Sequence, residues 1–255
     1  MASVGNWTIT GDDPLAVALR DAARFVDSST PITLATQPGD IPVDAYGIGP
    51  AITSSTVERV VPYYSAFEAI EEVKRVLDAG EAGSVYGCFT SFRIARGCSS
   101  EDVTMEALLP AISLTLDLLH SPVTRVHARC DSLLASDDAW FVTLRLADET
   151  IVTIEALAVL DPAAGLTRDL LVEVTASDQV LRAEPMRQAV VVEPLGAAGA
   201  SHPWWEDLNE RFLKLLVIRS SMPDDNAGSR LRAVWAAVLQ SVSDRQPVVI
   251  QGSPG

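Results

Sequence analysis

Alternation of apolar and polar residues with a period of two is the feature that most constrains how this chain can fold. It extends over residues 123–130, 141–146 and 151–157. Such alternation indicates β-strands with one covered face and one polar face. The polar connections at 136–138, 147–149 and 176–178 are short, and short connections join antiparallel neighbours because a parallel crossover needs about a dozen residues or more. The sequence therefore predicts a large, mostly antiparallel sheet over residues 85–195.

Helical periodicity marks segments on both sides of this sheet and one segment within it. Apolar residues recur every three or four positions between Ser65, the predicted cap, and Gly80, the predicted end of the helix. The apolar segment 101–120 predicts a second helix, which Pro110 should kink or split in two. The C-terminal part is predicted to form two more helices and a short strand, at 203–219, 226–244 and 247–250.

The first 56 residues are predicted to form a small α/β segment. Strands are predicted at 7–10, 31–36 and 43–48. Asp12 or Asp13 can cap a helix that starts at Pro14, where proline is tolerated in the first turn. A helix between two strands is the minimal βαβ unit.

Composition argues against several classes of function. The formal charge of −15 repels phosphate backbones and anionic lipid, so nucleic-acid and membrane-surface roles are disfavoured. No apolar run approaches the roughly 18 residues that a membrane span needs, and the N-terminus lacks the basic flank and apolar core of a secretory signal. Cys88, Cys98 and Cys130 are odd in number and lack metal-ligand spacing, which favours free thiols in a reducing cytoplasm.

Three stretches, in this order along the chain, resemble the C-terminal half of the Gfo/Idh/MocA oxidoreductases. They are the helix that runs from Tyr63 through Lys74 to the turn Gly80-Glu81-Ala82-Gly83, the segment 114–123, and the closing helix and strand at 229–249. The resemblance covers about residues 57–250. It implies an α+β fold in which a large, mostly antiparallel open sheet carries helices on one face and often makes dimer contacts with the other.

The same resemblance implies an ancestral activity and a domain division. The activity is hydride transfer between NAD or NADP and a sugar, a polyol or a related small alcohol. Because a complete Rossmann domain is longer than the sequence that precedes the match, the chain is expected to divide into two parts. These are a shortened, degenerate Rossmann-like α/β remnant at 1–56 and a sheet domain at 57–255.

The sequence departs from this family where the cofactor and the proton would be handled. A dinucleotide fold needs a Gly-x-Gly-x-x-Gly turn, whereas this chain has Thr10-Gly11-Asp12-Asp13-Pro14, whose two carboxylates would repel a pyrophosphate. The family's Glu-Lys-Pro lysine should lie shortly before residue 60, but no lysine precedes Lys74. The family's Asp-x-x-x-His-x-x-Asp motif would place its histidine at Ala111 and its second aspartate at Leu114. No catalytic or cofactor-binding residue is therefore carried over.

Four residues are candidates for binding a ligand. Arg93 and Arg96 lie on the first strand of the sheet, which in the family runs beside the substrate pocket, so a bidentate arginine there could hold a carboxylate. The alternative is that both are exposed strand-end arginines. Asp117 and His120 have i, i+3 spacing, so the histidine could be an oriented base, or it could interact with the dipole at a helix C-terminus. No paired Cys/His spacing is present, so no metal site is predicted.

Two functional hypotheses follow from the sequence. The favoured one is an oxidoreductase-like protein that has lost NAD(P) binding and catalysis, uses no cofactor, and forms a homo-oligomer through the sheet face while binding a small-molecule ligand or a protein partner. The alternative is an active NAD- or NADP-dependent oxidoreductase acting on a sugar, polyol or similar alcohol, with its nucleotide site altered or supplied by a partner subunit. A cytoplasmic location without nucleic-acid or membrane partners is expected for both.

Overall fold

The structure is a computed structural model and describes residues 7–9, 41–43, 63–95, 103–131, 139–160, 168–187, 189–194, 200–203 and 227–250. The strands are β1 (Trp7–Ile9), β2 (Ile41–Val43), β3 (Val85–Ala95), β4 (Val123–Asp131), β5 (Ala139–Leu146), β6 (Ile151–Leu160), β7 (Arg168–Ala176), β8 (Gln179–Glu184), β9 (Ala189–Pro194), β10 (Ala200–Pro203) and β11 (Val248–Val249). The helices are α1 (Glu68–Asp78), α2 (Leu109–Leu118) and α3 (Ala227–Asp244), with 3-10 turns at Tyr63–Ala66 and Pro185–Arg187 and a π-helical turn at Thr104–Leu108.

Nine strands form one sheet in the order β10-β9-β8-β7-β3-β6-β5-β4-β11. The neighbours β3 and β6 are parallel, and the other adjacent pairs of this sheet are antiparallel. The predicted α+β fold with a mostly antiparallel sheet is therefore confirmed. The predicted end of the sheet near residue 195 is wrong, because β10 pairs with the outer edge of β9. The pairing joins backbone groups, so it depends little on the β propensity of the segment that supplies them.

One hydrophobic core joins the sheet to the three helices. Alternate residues of the long strands are buried: in β5, for example, Val142, Leu144 and Leu146 are buried while Phe141 and Thr143 are exposed. The buried set belongs to the same cluster as the inner faces of α1, α2 and α3. The helices contact different strands, with α1 against β8 and β9, α2 against β3 and β6, and α3 against β4 and β11.

Helix α1 does not start where it was predicted to start, but it ends where it was predicted to end. Phe67 is the N-cap residue and makes no side-chain capping bond, so the expected cap at Ser65 is wrong. The Ser65 hydroxyl instead donates a hydrogen bond to Asp117 Oδ2 at 2.9 Å, because a carboxylate is a stronger acceptor than a neutral group. At the other end Gly80 has φ 69°, and its amide and that of Glu81 bond to carbonyls of the last turn. These bonds form a Schellman C-cap.

Helix α2 adapts to Pro110 by means of the π-helical turn that precedes it. Proline lacks an amide proton and its ring clashes with the carbonyl four residues earlier, which is why it breaks a regular helix. Here Pro110 occupies the first turn of α2, directly after the π turn Thr104–Leu108, so the predicted interruption is found. Nearly every residue of α2 is buried, including Ser113 and Thr115, so the helix lies inside the molecule rather than on its surface.

The ends of the chain confirm some predicted elements. Helix α3 and strand β11 lie where they were predicted, and Trp235 of α3 packs against Trp140 of β5 with ring centroids 6.2 Å apart. Leu239 of α3 is 46 % exposed. Strands β1 and β2 pair in parallel, and β2 shares only one residue with the predicted strand 43–48. The predicted strand 31–36 and the helix from Pro14 lie outside the described residues, as does the predicted helix at 203–219 except for Pro203, which ends β10.

None of the helices in the described part is long and apolar enough to cross a membrane.

Candidate functional site

Several elements meet where the parallel strands β3 and β6 end, in the middle of the sheet. Ala95 at the end of β3 is in register with Leu160 at the end of β6, and Ile94 is in register with Arg168 at the start of β7. The π turn of residues 104–108 packs against β3 and β6. Ligands of open sheets commonly bind beyond the carboxyl ends of parallel strands, so this end is the candidate site.

Three polar side chains meet there on the helix-covered side of the sheet. Arg168 forms an ion pair with Glu106, with 2.7 Å between Nη2 and Oε2, and the two side chains are 36 % and 25 % exposed. Arg168 also hydrogen-bonds Tyr64. The three residues come from the start of β7, from the π turn and from the 3-10 turn before α1. We call Tyr64, Glu106 and Arg168 the Arg168 cluster.

Burial decides what Tyr64 can do in this cluster. It raises the pKa of Tyr64 to about 12, an effect that the neighbouring Arg168 only partly offsets. The ring stands edge-on to Phe92 at a centroid distance of 4.9 Å and stacks on Phe67 at 6.0 Å. At neutral pH Tyr64 therefore stays protonated. The cluster offers a fixed guanidinium and a carboxylate, which suit recognition of a hydroxyl or carboxylate group rather than proton abstraction by the tyrosine.

Of the two arginines predicted to bind a ligand, only Arg93 lies within the described residues. Arg93 is half-buried near the C-terminal end of β3, and its partners in register are Leu157 on β6 and Asp169 on β7. Successive residues of a strand point to opposite faces, so Arg93 and Asp169 lie on the face away from the Arg168 cluster. Arg96 lies outside the described residues. Binding of a ligand by Arg93 and Arg96 stays a prediction.

Asp117 belongs to a second polar cluster, which joins α2 to α1. Its carboxylate accepts a hydrogen bond from Ser65 and forms an ion pair with Lys74, with 3.0 Å between Oδ1 and Nζ. Lys74 also donates to the Asp117 carbonyl at 3.0 Å. The side chains of Lys74 and Asp117 are 17 % and 11 % exposed. We call these residues the Lys74 cluster; its contacts clamp two helices together.

His120 does not share this cluster with Asp117. Helix α2 ends at Leu118, and the exposed His120 ring lies 3.1 Å from Asp78 at the end of α1. Lys74 and Asp78 lie one turn apart on α1 and have different partners. Lys74 pairs with Asp117 inside α2, and Asp78 pairs with His120 beyond the end of α2. The i, i+3 spacing of Asp117 and His120 does not bring their side chains together. A ligand role for either residue stays a prediction.

Ala111 and Leu114, the α2 positions at which the family resemblance would place a histidine and an aspartate, hold no polar side chain. Ala111 is fully buried and Leu114 is 1 % exposed. The polar group next to them, Thr115, donates to the Ala111 carbonyl at 2.8 Å and hydrogen-bonds Thr90 of β3 at 3.0 Å. These contacts hold α2 on the sheet. None of the residues Thr90, Ala111, Leu114 and Thr115 has an ionisable side chain.

The described residues include two of the cysteines. Cys88 is buried and Cys130 is half-buried, and neither forms a disulfide. Burial raises the pKa of Cys88 to about 12, so its reactive thiolate is suppressed at neutral pH. Within the described ranges no group of three or more His, Cys, Asp or Glu residues could hold a metal ion.

Sequence reasoning missed the Arg168 cluster. The charged pair Arg168-Asp169 interrupts the apolar start of a strand, and the Tyr63-Tyr64 doublet precedes α1. Both are visible signals. Their meaning depends on bringing Tyr64, Glu106 and Arg168 together from distant parts of the sequence, which no local pattern reports.

Solved structures with the same fold exist, although no protein-family model and no curated protein matches the sequence. An NAD-binding oxidoreductase from Klebsiella pneumoniae is 15 % identical with a TM-score of 0.62, covering 75 % of this chain and 65 % of that chain. Levoglucosan dehydrogenase in complex with NADH is 11 % identical with a TM-score of 0.61 and the same coverage. An oxidoreductase domain protein from Kribbella flavida is 14 % identical with a TM-score of 0.61, covering 93 % of this chain and 69 % of that chain.

These likenesses define the fold and its extent. The chain spans 65 % of the length of the first two of these neighbours, which is less than two thirds. At identities of 11–15 % the likeness is one of architecture. The described part of the chain thus has the fold of NAD-binding oxidoreductases of the Gfo/Idh/MocA type.

Proposed function

We propose that this chain is a non-catalytic relative of the Gfo/Idh/MocA oxidoreductases, which retains the sheet domain for self-association and for binding a small ligand. The observation that carries the proposal is the burial of Ala111 and Leu114 on α2. Hydride transfer from an alcohol needs a group that takes the hydroxyl proton. An alanine and a leucine sealed in the core cannot supply it.

The state of Lys74 supports the same reading. A lysine that assists proton transfer must reach the substrate, but Lys74 is bonded to the carboxylate and the carbonyl of Asp117 on the far end of α2. In the sequence, Thr10-Gly11-Asp12-Asp13-Pro14 places two carboxylates in the turn where a pyrophosphate would approach the backbone.

Calorimetric titration with NAD(H) and NADP(H) tests the proposal. We expect no heat of binding at micromolar protein, with an active Gfo/Idh/MocA dehydrogenase as the positive control in the same cells and buffers. Binding with a micromolar dissociation constant would overturn the loss of cofactor binding. Turnover of any sugar or polyol with either cofactor would overturn the loss of catalysis.

A second candidate is an active oxidoreductase, and the neighbours solved with NADH favour it. The Arg168 cluster lies where a ligand could be held, and its guanidinium could orient a hydroxyl or carboxylate group. A dehydrogenase screen over sugars and polyols, run with wild-type protein and with Arg168→Met, distinguishes the candidates. Turnover that Arg168→Met abolishes would establish the second candidate, whereas a silent screen supports the first.

The proposed self-association uses the sheet face that α1, α2 and α3 leave uncovered, which we call the open face. Polar and apolar side chains are exposed there together: Phe141 and Ile151 are 37 % and 44 % exposed, beside Thr143. Such mixed faces are typical of interfaces between folded subunits. Sedimentation at micromolar concentration is expected to give a dimer, and a clean monomer would contradict this part of the proposal.

The ligand part of the proposal rests on the Arg168 cluster. A hydroxylated carboxylate, such as a sugar acid, would satisfy a guanidinium by paired hydrogen bonds. A thermal-shift screen of sugar acids against neutral sugars is expected to stabilise the protein with the acids selectively. Equal shifts in wild type and in Arg168→Met would remove this role for the cluster.

A further inference from the structure

We propose that Glu106 is a displaceable latch, which competes with a ligand carboxylate for the guanidinium of Arg168. A ligand that takes Arg168 releases Glu106, and with it the π turn that carries Glu106. The latch lowers the affinity of the site for acids and opens when an acid binds. The inference rests on the proposed function and deepens it, because it assigns a regulating residue to the same Arg168 cluster.

The ion pair of Glu106 and Arg168 links the π turn to β7. The turn packs against β3 and β6, and β7 is the other neighbour of β3 in the sheet. Nη2 of Arg168 lies 2.7 Å from Oε2 of Glu106, and the two side chains are 36 % and 25 % exposed. A dissolved anion can therefore reach the guanidinium from solvent.

The guanidinium of Arg168 has at least two protein partners, Glu106 and Tyr64. A carboxylate is held best by two parallel N–H bonds from one edge of a guanidinium. Both edges that offer such a pair, Nη1 with Nη2 and Nε with Nη2, include the nitrogen that bonds Glu106. A second carboxylate at either edge would also lie close to the first, and like charges repel. A ligand carboxylate therefore competes with Glu106.

Of these two partners, Tyr64 is the fixed one. Its side chain belongs to a residue that is 2 % exposed, and its ring stacks on Phe67 and stands edge-on to Phe92. Moving the Tyr64 hydroxyl would therefore disrupt the core. The side chain of Glu106 is 25 % exposed and has a flexible stem, so its carboxylate can turn into water at little cost. Glu106 is the partner that yields.

The backbone of the π turn lacks one of the bonds that a regular helix would make. The amide of Leu109 bonds to the carbonyl of Thr104, five residues earlier. Pro110 has no amide proton, so it cannot make the α-helical bond to the carbonyl of Glu106. Turns of this type are frequent at functional sites. Loss of the ion pair to Arg168 removes a tie between this turn and β7, so the turn gains freedom.

Calorimetric titration with glucuronate and with glucose measures the latch. The two molecules differ at one carbon, which is a carboxylate in glucuronate and a hydroxymethyl group in glucose. Glu106→Gln keeps the shape of the side chain and removes its charge. We expect this variant to bind glucuronate about fivefold more tightly than the wild type does, a change that corresponds to about 1 kcal/mol, with no gain for glucose. Arg168→Met is expected to abolish the binding of glucuronate.

Glu184→Gln is the matched control for the change in charge. Glu184 pairs with Arg182 at 2.7 Å, and the two side chains are 20 % and 46 % exposed. Both residues alternate with the buried Leu181 and Ala183 and therefore lie on the open face, away from the Arg168 cluster. The control removes the same charge from a similar pair, so its affinity for glucuronate should equal that of the wild type. Circular dichroism melting confirms that each variant folds.

Hydrogen exchange provides a second readout, which a purely structural ion pair would not change. We expect glucuronate to accelerate amide exchange about fivefold in the peptide 103–112 of the wild type, because binding opens the latch. In Glu106→Gln the same peptide should exchange rapidly without glucuronate and should not accelerate further. Slower or unchanged exchange in the wild type on addition of glucuronate overturns the inference.

The outcomes separate the latch from the proposed ligand. If glucuronate binds the wild type and binds Glu106→Gln equally or more weakly, the latch is overturned and the ligand role of Arg168 stands. If glucuronate binds neither protein, the proposed ligand class is overturned and the latch with it.

Discussion

The Lys74 cluster allows the sharpest test of what holds α1 against α2. The variant Lys74→Met keeps most of the side-chain stem and removes the ammonium. Asp117 then loses its ion pair and retains Ser65 as a hydrogen-bond donor. Breaking a fully buried pair costs about 3–5 kcal/mol, whereas an exposed pair contributes about 0–1 kcal/mol.

The exposures of 17 % and 11 % place this pair between those limits. We expect Lys74→Met to reduce the free energy of unfolding by about 2 kcal/mol, which lowers Tm by about 4–8 °C in a chain of this size. Asp117→Asn should cost a similar amount because it leaves Lys74 partly buried without its counter-ion. The double variant should cost about 1 kcal/mol less than the sum of the two single variants, since neither charge is then left unpaired.

Urea and thermal unfolding, followed by far-ultraviolet circular dichroism, measure all three variants. Arg75→Met is the matched control because it removes a neighbouring cation on the same helix, whose ion pairs with Glu72 and Glu81 are exposed; no measurable change is expected. A Tm for Lys74→Met within 1 °C of wild type, or strictly additive single-variant losses, would refute the reasoning.

Two further predictions concern buried groups and tight turns. Burial raises the pKa of Cys88 from 9.0 and of Tyr64 from 10.0, each to about 12, so their stabilising contributions are complete below pH 9 and pH 10 and decline as the pH rises towards 12. Cys88→Ala and Tyr64→Phe should each flatten the fall in urea stability over that window, and an unchanged slope in the double variant would count against this. Gly80→Ala should cost about 1 kcal/mol for its left-handed φ; Gly83→Ala should cost more in the same assay, because its Cβ would also overlap the Ser177 hydroxyl.

The sheet was largely predictable because its strands have one covered face. In β5 the alternation of exposed Phe141, Thr143 and Arg145 with buried residues is the pattern read from the sequence. Strand β10 carries no such signal, and its pairing is set by the free edge of β9. The parallel pairing of β3 with β6 joins residues about sixty positions apart, which local periodicity does not encode.

The candidate site was less predictable because its parts interact through tertiary contacts. Serine is a common helix cap, yet the hydroxyl of Ser65 donates its hydrogen bond to the carboxylate of Asp117. Asp117 and His120 have helical spacing, yet α2 ends between them and each finds a partner on α1. The pairing of Glu106 with Arg168 depends on the π turn and on the register of β7, and no short sequence motif predicts either of them.

The margins of the nine-stranded sheet have a consequence for how copies of this chain avoid aggregation. The outermost strands are β10, with four residues that end at Pro203, and β11, with two residues that follow Pro247. Short strands bounded by proline present few free amides to an incoming extended segment, which discourages edge-to-edge polymerisation. Lateral growth into fibrils is thereby hindered at both borders of the described sheet.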